Sequence, residues 1–215
     1  MDEWSLIDFF KLGGVFMWPL LAFSVATIAL ALERVAYFIW HNLNVTTLKN
    51  RIQTLIAENR MQEAIDSLKQ EPRKNTAASI FLALLSSAHL GENRMEKAAE
   101  AEAQERIRRL ENGFNYLTAL ASLSPLTGFL GTVSGMIGAF KSIADATEVN
   151  AQLVANGIYE ALITTVFGLC IAIVALIAYN LLNQRVDTFA ADITKAVSDL
   201  TAAILDKPES EGQAG

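Results

Sequence analysis

Groups that do chemistry near neutral pH are almost missing from this sequence. Cys170 is its one cysteine, and His41 and His89 are its two histidines. A single thiol excludes an internal disulfide and a paired-cysteine metal site, and two separate histidines leave little for zinc or imidazole-based catalysis. Charge is scarce as well: Asp, Glu, Lys and Arg make up 19% of 215 residues, against about 25% in an ordinary soluble domain. The balance is acidic, with a net charge of −6, and phosphate binding needs clustered Lys and Arg, so nucleic acid is a poor candidate partner. What fills the space is apolar: 52% of residues are hydrophobic and mean hydropathy is positive. That argues against a soluble enzyme and against a disordered chain.

The apolar residues are concentrated. Val15–Leu32 is 18 residues without a charge, resuming after Glu33 and Arg34 as Val35–Trp40; Gly113–Phe140 is 28 such residues and Ala161–Leu182 is 22. About 20 apolar residues span the hydrocarbon of a bilayer, so all three predict transmembrane helices. The first is not a cleaved signal, because residues 1–14 carry three acids and one lysine where a signal has a basic head. It ends instead in an aromatic interface belt, Tyr37, Phe38 and Trp40. A fourth apolar stretch, Ala77–Leu90, has only 14 residues, a length that favours a buried or interfacial helix.

Eleven of the seventeen basic residues lie in 41–112 and three more lie after Leu182. The positive-inside rule puts both stretches in the cytoplasm, with the N-terminus and the connection after the second span outside. The expected fold class is therefore an all-α membrane protein: three transmembrane helices with long cytoplasmic helical extensions, N-terminus outside and C-terminus cytoplasmic. Its segments are an outer arm 1–14, a first span 15–40, a cytoplasmic helical domain 41–112, a second span 113–140, an outer connection 141–156, a third span 157–183, and a cytoplasmic amphipathic helix and disordered tail 184–215.

Within 41–112, Leu48, Ile52, Leu55 and Ile56 repeat at helical spacing, and Pro72 with Asn75 and then Gly91 mark breaks. A charged helix from Arg94 onward carries Glu102–Arg106 and Glu105–Arg109 as favourable i,i+4 pairs. Residues 59–64 and 93–98 match closely at an offset of 34, the tetratricopeptide period, but the flanks differ and no third copy exists, so the match reads as coincidence. Val186, Phe189, Ile193, Val197, Leu200 and Ile204 form one apolar stripe. This predicts that the third helix continues into the cytoplasm and packs on the 94–112 helix. The segment can serve partner docking; the simpler reading is a bundle that stiffens the membrane helices.

The second tract is rich in small residues: Gly128, Gly131, Thr132, Ser134, Gly135 and Gly138, with Pro125 one turn upstream. Small-xxx-small pairs let helix backbones approach closely, which accounts for the glycines; Thr132, on the face of Gly128 and Gly135, can pack or line a passage. The third tract opens with Glu160, Thr164 and Thr165. A carboxylate at mid-membrane costs about 2.5–3.5 kcal/mol, less near an interface, so Glu160 either faces a bundle interior or water, or caps the start of its helix. Thr165, about 7.5 Å deeper, can line a pore or bond its own backbone. Arg34, at the inner end of the first helix, is placed to snorkel to headgroups. Residues 135–142 superficially echo a phosphate-binding loop but have Phe140, not glycine, before Lys141. No catalytic triad, metal cluster or dinucleotide motif is present, so no enzyme and no cofactor is implied.

The run SPLTGFLGTVSGMIGAF over 124–140 resembles the second-helix signature of the MotA/TolQ/ExbB proton-channel family. The run EALITTVFGL over 160–169, followed by Ala178, Tyr179 and Asn180, resembles its third-helix signature, and Trp18, Pro19, Leu20, Leu21, Ser24, Glu33 and Arg34 resemble the first helix of its ExbB branch. The likeness covers nearly the whole chain in order. One departure is Val174, where the family has proline; it bears on a kink in the third helix. The resemblance implies a homo-oligomer, a pentamer, around a pore in the inner membrane of a Gram-negative bacterium. The pore would hold an ExbD-like single-span partner whose membrane aspartate carries the proton, with Thr132 and Thr165 lining it and Glu160 matching the family's third-helix glutamate. It further implies use of the proton motive force to drive a TonB-like transducer, or, in the TolQ branch, outer-membrane integrity and division. Glu160 is the one carboxylate in the two polar-lined tracts, so a second proton-carrying group has to come from another subunit. A non-conducting membrane scaffold is the alternative of a different class.

Overall fold

The computed structural model describes residues 13–41, 43–71, 74–145 and 151–206; the N-terminal arm up to position 12, Pro72, positions 146–150 of the connection and the tail from Lys207 lie outside the described residues. Among the described residues the regular elements are helices: α1 (Met17–Trp40), α2 (Val45–Ala57), α3 (Met61–Gln70), α4 (Thr76–Ser86) with a 3-10 turn Ala88–Leu90, α5 (Glu92–Leu110), α6 (Phe114–Asp145) and α7 (Ala151–Leu205). Residues up to Arg34 and Gly113–Leu182 form one compact unit; Val35–Asn112 and the chain from Asn183 form the other.

The first unit is built inside out relative to a soluble domain. Its outward side chains are large and apolar, Trp18, Ile28, Leu32, Phe129, Ile137, Phe140, Val166 and Ile173 among them, while Ser124, Gly128, Gly131 and Thr164 are buried. In water such a surface would be an aggregation liability; against lipid it costs nothing. Three helices, α1, α6 and α7, are long and apolar enough to cross a membrane, as an all-α membrane protein requires. Met17 and Leu20 of α1 pack with Ile163 and Ile171 of α7, flanked by Phe23 and Phe167. α7 runs unbroken through Val174, where no proline interrupts it.

Arg34 does not reach out to headgroups. Its side chain is 10% exposed, and its guanidinium makes two bonds to the Glu33 carboxylate, both 2.5 Å. Arg34 packs against Gly113, whose φ of +91° lies in the region that favours glycine; the nearest Arg34 atom would stand 3.5 Å from a side-chain carbon placed there, an ordinary contact.

The second unit has a conventional core. Ile52, Ile56, Ala64, Leu68, Ile80, Phe81, Leu84 and Met95 are fully or almost fully buried. α4 packs on α5, α3 and α2, so the 14-residue apolar stretch is a central buried helix that the amphipathic ones surround. Asn44 caps α2, its Oδ1 accepting from the Thr47 N–H at 3.3 Å. Gly91, at φ +90°, ends the turn before α5. The two i,i+4 pairs of α5 form, Arg106 to Glu102 at 2.7 Å and Arg109 to Glu105 at 2.8 Å. The near repeat has no structural counterpart: Asn59 turns the chain at φ +63°, whereas Asn93 lies within α5. Val186, Phe189, Ile193, Val197 and Leu200 of the α7 tail are buried and Ile204 is half-buried. The tail lines a cleft with α5, and Lys49 of α2 ties it down through Asp199 at 2.5 Å.

Candidate functional site

The site lies where α6 and α7 run antiparallel in the first unit. Glycines set their distance. A methyl group on Gly128 would stand 2.7 Å from the Thr164 carbonyl oxygen, and one on Gly135 would stand 2.9 Å from the Ala161 Cβ. Gly131 lies against the Thr164 side chain, Gly157 against Ala139, and Gly168 against the Ser124 carbonyl. Pro125 sits at that last approach, inside α6. It has no N–H to give to the preceding turn, and Ser124 beside it donates to the Leu120 carbonyl at 2.6 Å. Gly138 differs from the other three: nothing lies within 4 Å of where its side chain would be.

Backbones this close bring three hydroxyls together. Thr132 of α6 and Thr165 of α7 are in direct hydroxyl contact. Thr132 Oγ1 can donate to the Ala161 carbonyl at 3.0 Å or to Gly128 at 3.3 Å, and Thr165 Oγ1 to the Gly128 carbonyl at 3.2 Å. Thr164 Oγ1 donates to Ala161 at 2.8 Å or to Gly128 at 3.1 Å and is buried. Thr132 and Thr165 are half-buried. One hydroxyl donates to the other and the second donates to a backbone carbonyl, so each oxygen still keeps a lone pair for a donor arriving from outside. Helical spacing placed Thr164 with Glu160; its position opposite Gly131 depends on the neighbouring helix, and the small residue facing it was the available signal.

Glu160 is elsewhere. It is exposed and lines a cleft of about 400 Å³ with Asn156, Ser134, Ser142, Gly138 and the start of α1. Its carboxylate occupies the space a side chain on Gly14 would need, and Gly14 has φ +63°. α7 begins at Ala151, nine residues earlier, so Glu160 is more than two turns into the helix, beyond the first turn where the helix dipole acts. Among the described residues no group of three His, Cys, Asp or Glu could hold a metal ion. The arrangement offers a hydroxyl pair between two apolar helices and a separate carboxylate beside a cleft, groups able to solvate and pass protons.

Comparison with known proteins bears directly on this pair of helices. The model of the MotA/TolQ/ExbB proton channel family matches residues 70–195, more than half the chain. A Synechocystis protein named ExbB-like 1 is 31% identical over 86% of this chain and 75% of its own length. The Tol-Pal system protein TolQ of Haemophilus influenzae is 41% identical, over 46% of this chain and 43% of its own length. The biopolymer transport protein ExbB of Neisseria gonorrhoeae is 30% identical over 69% of this chain and 65% of its own length. The matched region holds both threonines, Glu160 and the glycines between them. This chain belongs to the MotA/TolQ/ExbB proton channel family.

Proposed function

We propose that this chain is the pore-forming stator subunit of an inner-membrane motor that spends the proton motive force on work at the outer membrane. The observation that carries the proposal is the Thr132–Thr165 hydroxyl pair bridging α6 and α7. With one proton shared between the two hydroxyls and the other turned to a backbone carbonyl, the open lone pairs accept a hydrogen bond from a neutral carboxylic acid. An ionised carboxylate instead needs a hydroxyl proton turned toward it, away from its carbonyl. The pair therefore distinguishes the two protonation states of an acid brought to it. That acid is the membrane aspartate of an ExbD-like single-span partner, held inside a homo-oligomeric ring, a pentamer. Each protonation changes the partner's pairing and moves one set of subunits against the other. Glu160, in the outer cleft, feeds or drains the path.

The same proposal takes the N-terminal arm 1–14 and the 141–156 connection as periplasmic, the spans as 15–40, 113–140 and 157–183, and 41–112 with 184–215 as cytoplasmic. The energised process is TonB-dependent transport across the outer membrane, supported by the broad match to ExbB proteins. A TolQ role in envelope integrity is the second reading, favoured by the higher identity to TolQ over a shorter stretch.

Deleting the gene in its host separates the two. Loss of receptor-dependent uptake with intact detergent resistance indicates the TonB role; detergent sensitivity and chained cells indicate the Tol role. Complementation with Thr132→Val and Thr165→Val is expected to fail while the protein accumulates normally. Full complementation by both would overturn the pore assignment.

A further inference from the structure

The charges of α5 fall into two groups. Glu102, Glu105, Arg106 and Arg109 pair with each other along one side. Among the described residues no ion pair reaches Glu96, Glu100, Arg94, Lys97 or Arg108. These unpaired charges are sorted by sign. Arg94, Lys97, Ala101, Gln104 and Arg108 follow one another at steps of three and four and are all exposed, which makes a basic stripe with a small residue at its middle. Glu96 and Glu100 stand about 100° away round the helix. They are like charges at i,i+4, an arrangement that destabilises a helix left alone.

The acidic flank borders a groove of about 180 Å³ between α5 and the α7 tail. Its floor is apolar, Ala99, Ile193 and Val197, and the far rim carries Thr194 and Ser198, both small and exposed. Short side chains on the far rim leave room for a helix to approach, and the two glutamates on the near rim supply the sign it should not carry.

We propose that this groove receives the basic stripe of a second copy of the chain, so that α5 carries both halves of a head-to-tail contact. The inference rests on the homo-oligomeric reading above and specifies its cytoplasmic interface. Two complementary patches at an angle on one surface generate a heterologous contact, which closes into a ring when the rotation is a simple fraction of a turn. Rotation about one axis leaves every residue at its own height along that axis. With α5 running along the axis, only residues of the same stretch can meet, and the stripe (94–108) and the acidic flank (96–103) come from the same stretch of the same helix. A dyad-related pair would seat each stripe in the other copy's groove and stop at two copies, where a head-to-tail contact goes on to a ring.

Disulfide trapping in the full-length chain tests this. In a Cys170→Ser background, Ala101→Cys and Ser198→Cys are made singly and together, and membranes are oxidised. The expected result is a ladder of covalent multimers from the double variant and none from either single variant, because each residue meets only its opposite. A covalent dimer from a single variant would overturn the head-to-tail contact. So would the lack of a ladder from the double variant when native mass spectrometry shows the assembled oligomer. A monomer by native mass spectrometry of the unmodified chain would overturn the homo-oligomeric reading itself. As a second measurement, Glu96→Lys with Glu100→Lys should lose assembly, and adding Arg94→Glu, Lys97→Glu and Arg108→Glu should restore it. Failure of restoration with normal helical content would also count against the contact.

Discussion

Gly128 meets Thr164 and Thr165 so closely that its missing side chain is a structural part. A methyl group there would stand 2.7 Å from a backbone oxygen and 3.0 Å from a backbone carbon, atoms that cannot swing aside as the end of a side chain can. Relief requires α6 and α7 to separate, and overpacking of this kind costs about 1–3 kcal/mol. Gly128→Ala should therefore lower the thermal unfolding midpoint of the purified protein and break the Thr132–Thr165 contact. Gly138→Ala, with nothing within 4 Å, should leave the midpoint unchanged within the roughly ±0.5 kcal/mol of a neutral surface substitution. Equal effects of the two changes would show that glycine content, and not this close approach, sets the packing. The sequence pattern treats the two glycines alike, since both belong to small-xxx-small pairs. Which one packs within the chain depends on the neighbouring helix, and no local signal carries that.

At the scale of elements, the α7 tail is held on the second unit by a buried apolar stripe and by the Lys49–Asp199 pair. The hydrogen bond from Lys49, reinforced by its charge, keeps the Asp199 carboxyl below its ordinary pKa. A lowered folded-state value means that the pair's stabilisation is complete above the unfolded value of about 3.9. It is lost as pH falls through the lower folded value. Asp199→Asn should thus melt below the parent at pH 7, with the gap closing as pH is taken below about 4; a gap independent of pH would contradict the ion-pair account.

Much of this level was legible in advance. The three tracts became the three long apolar helices, because continuous apolarity over 20 residues has few other uses. The 14-residue stretch became the buried α4, because its amphipathic neighbours need an apolar centre. The tail stripe was readable because helical period fixes which residues share a face. Arg34 was not: it packs inward against Gly113, 79 positions later in the chain. The contact of Glu160 with Gly14 was equally hidden, since it joins positions far apart through a backbone at positive φ.

For the whole molecule, the central observation is how charge is apportioned. The membrane unit keeps Glu33 and Arg34 paired with each other and holds Glu160 beside a cleft, while its helix contact contains only hydroxyls and carbonyls. The charged residues of α5 are the reverse, exposed and in part unpaired. On the proposed reading, the first solvates a proton without carrying one and the second assembles copies, into a ring that conducts only when another subunit brings an acid to the threonines. The most direct measurement of that claim is proton flux into liposomes holding this chain alone, or with an ExbD-like single-span subunit that bears a membrane aspartate, under an imposed membrane potential. The account predicts flux only when both are present, and its loss in Thr165→Val. Flux through this chain alone, or flux with the partner that survives both Thr132→Val and Thr165→Val, would contradict it.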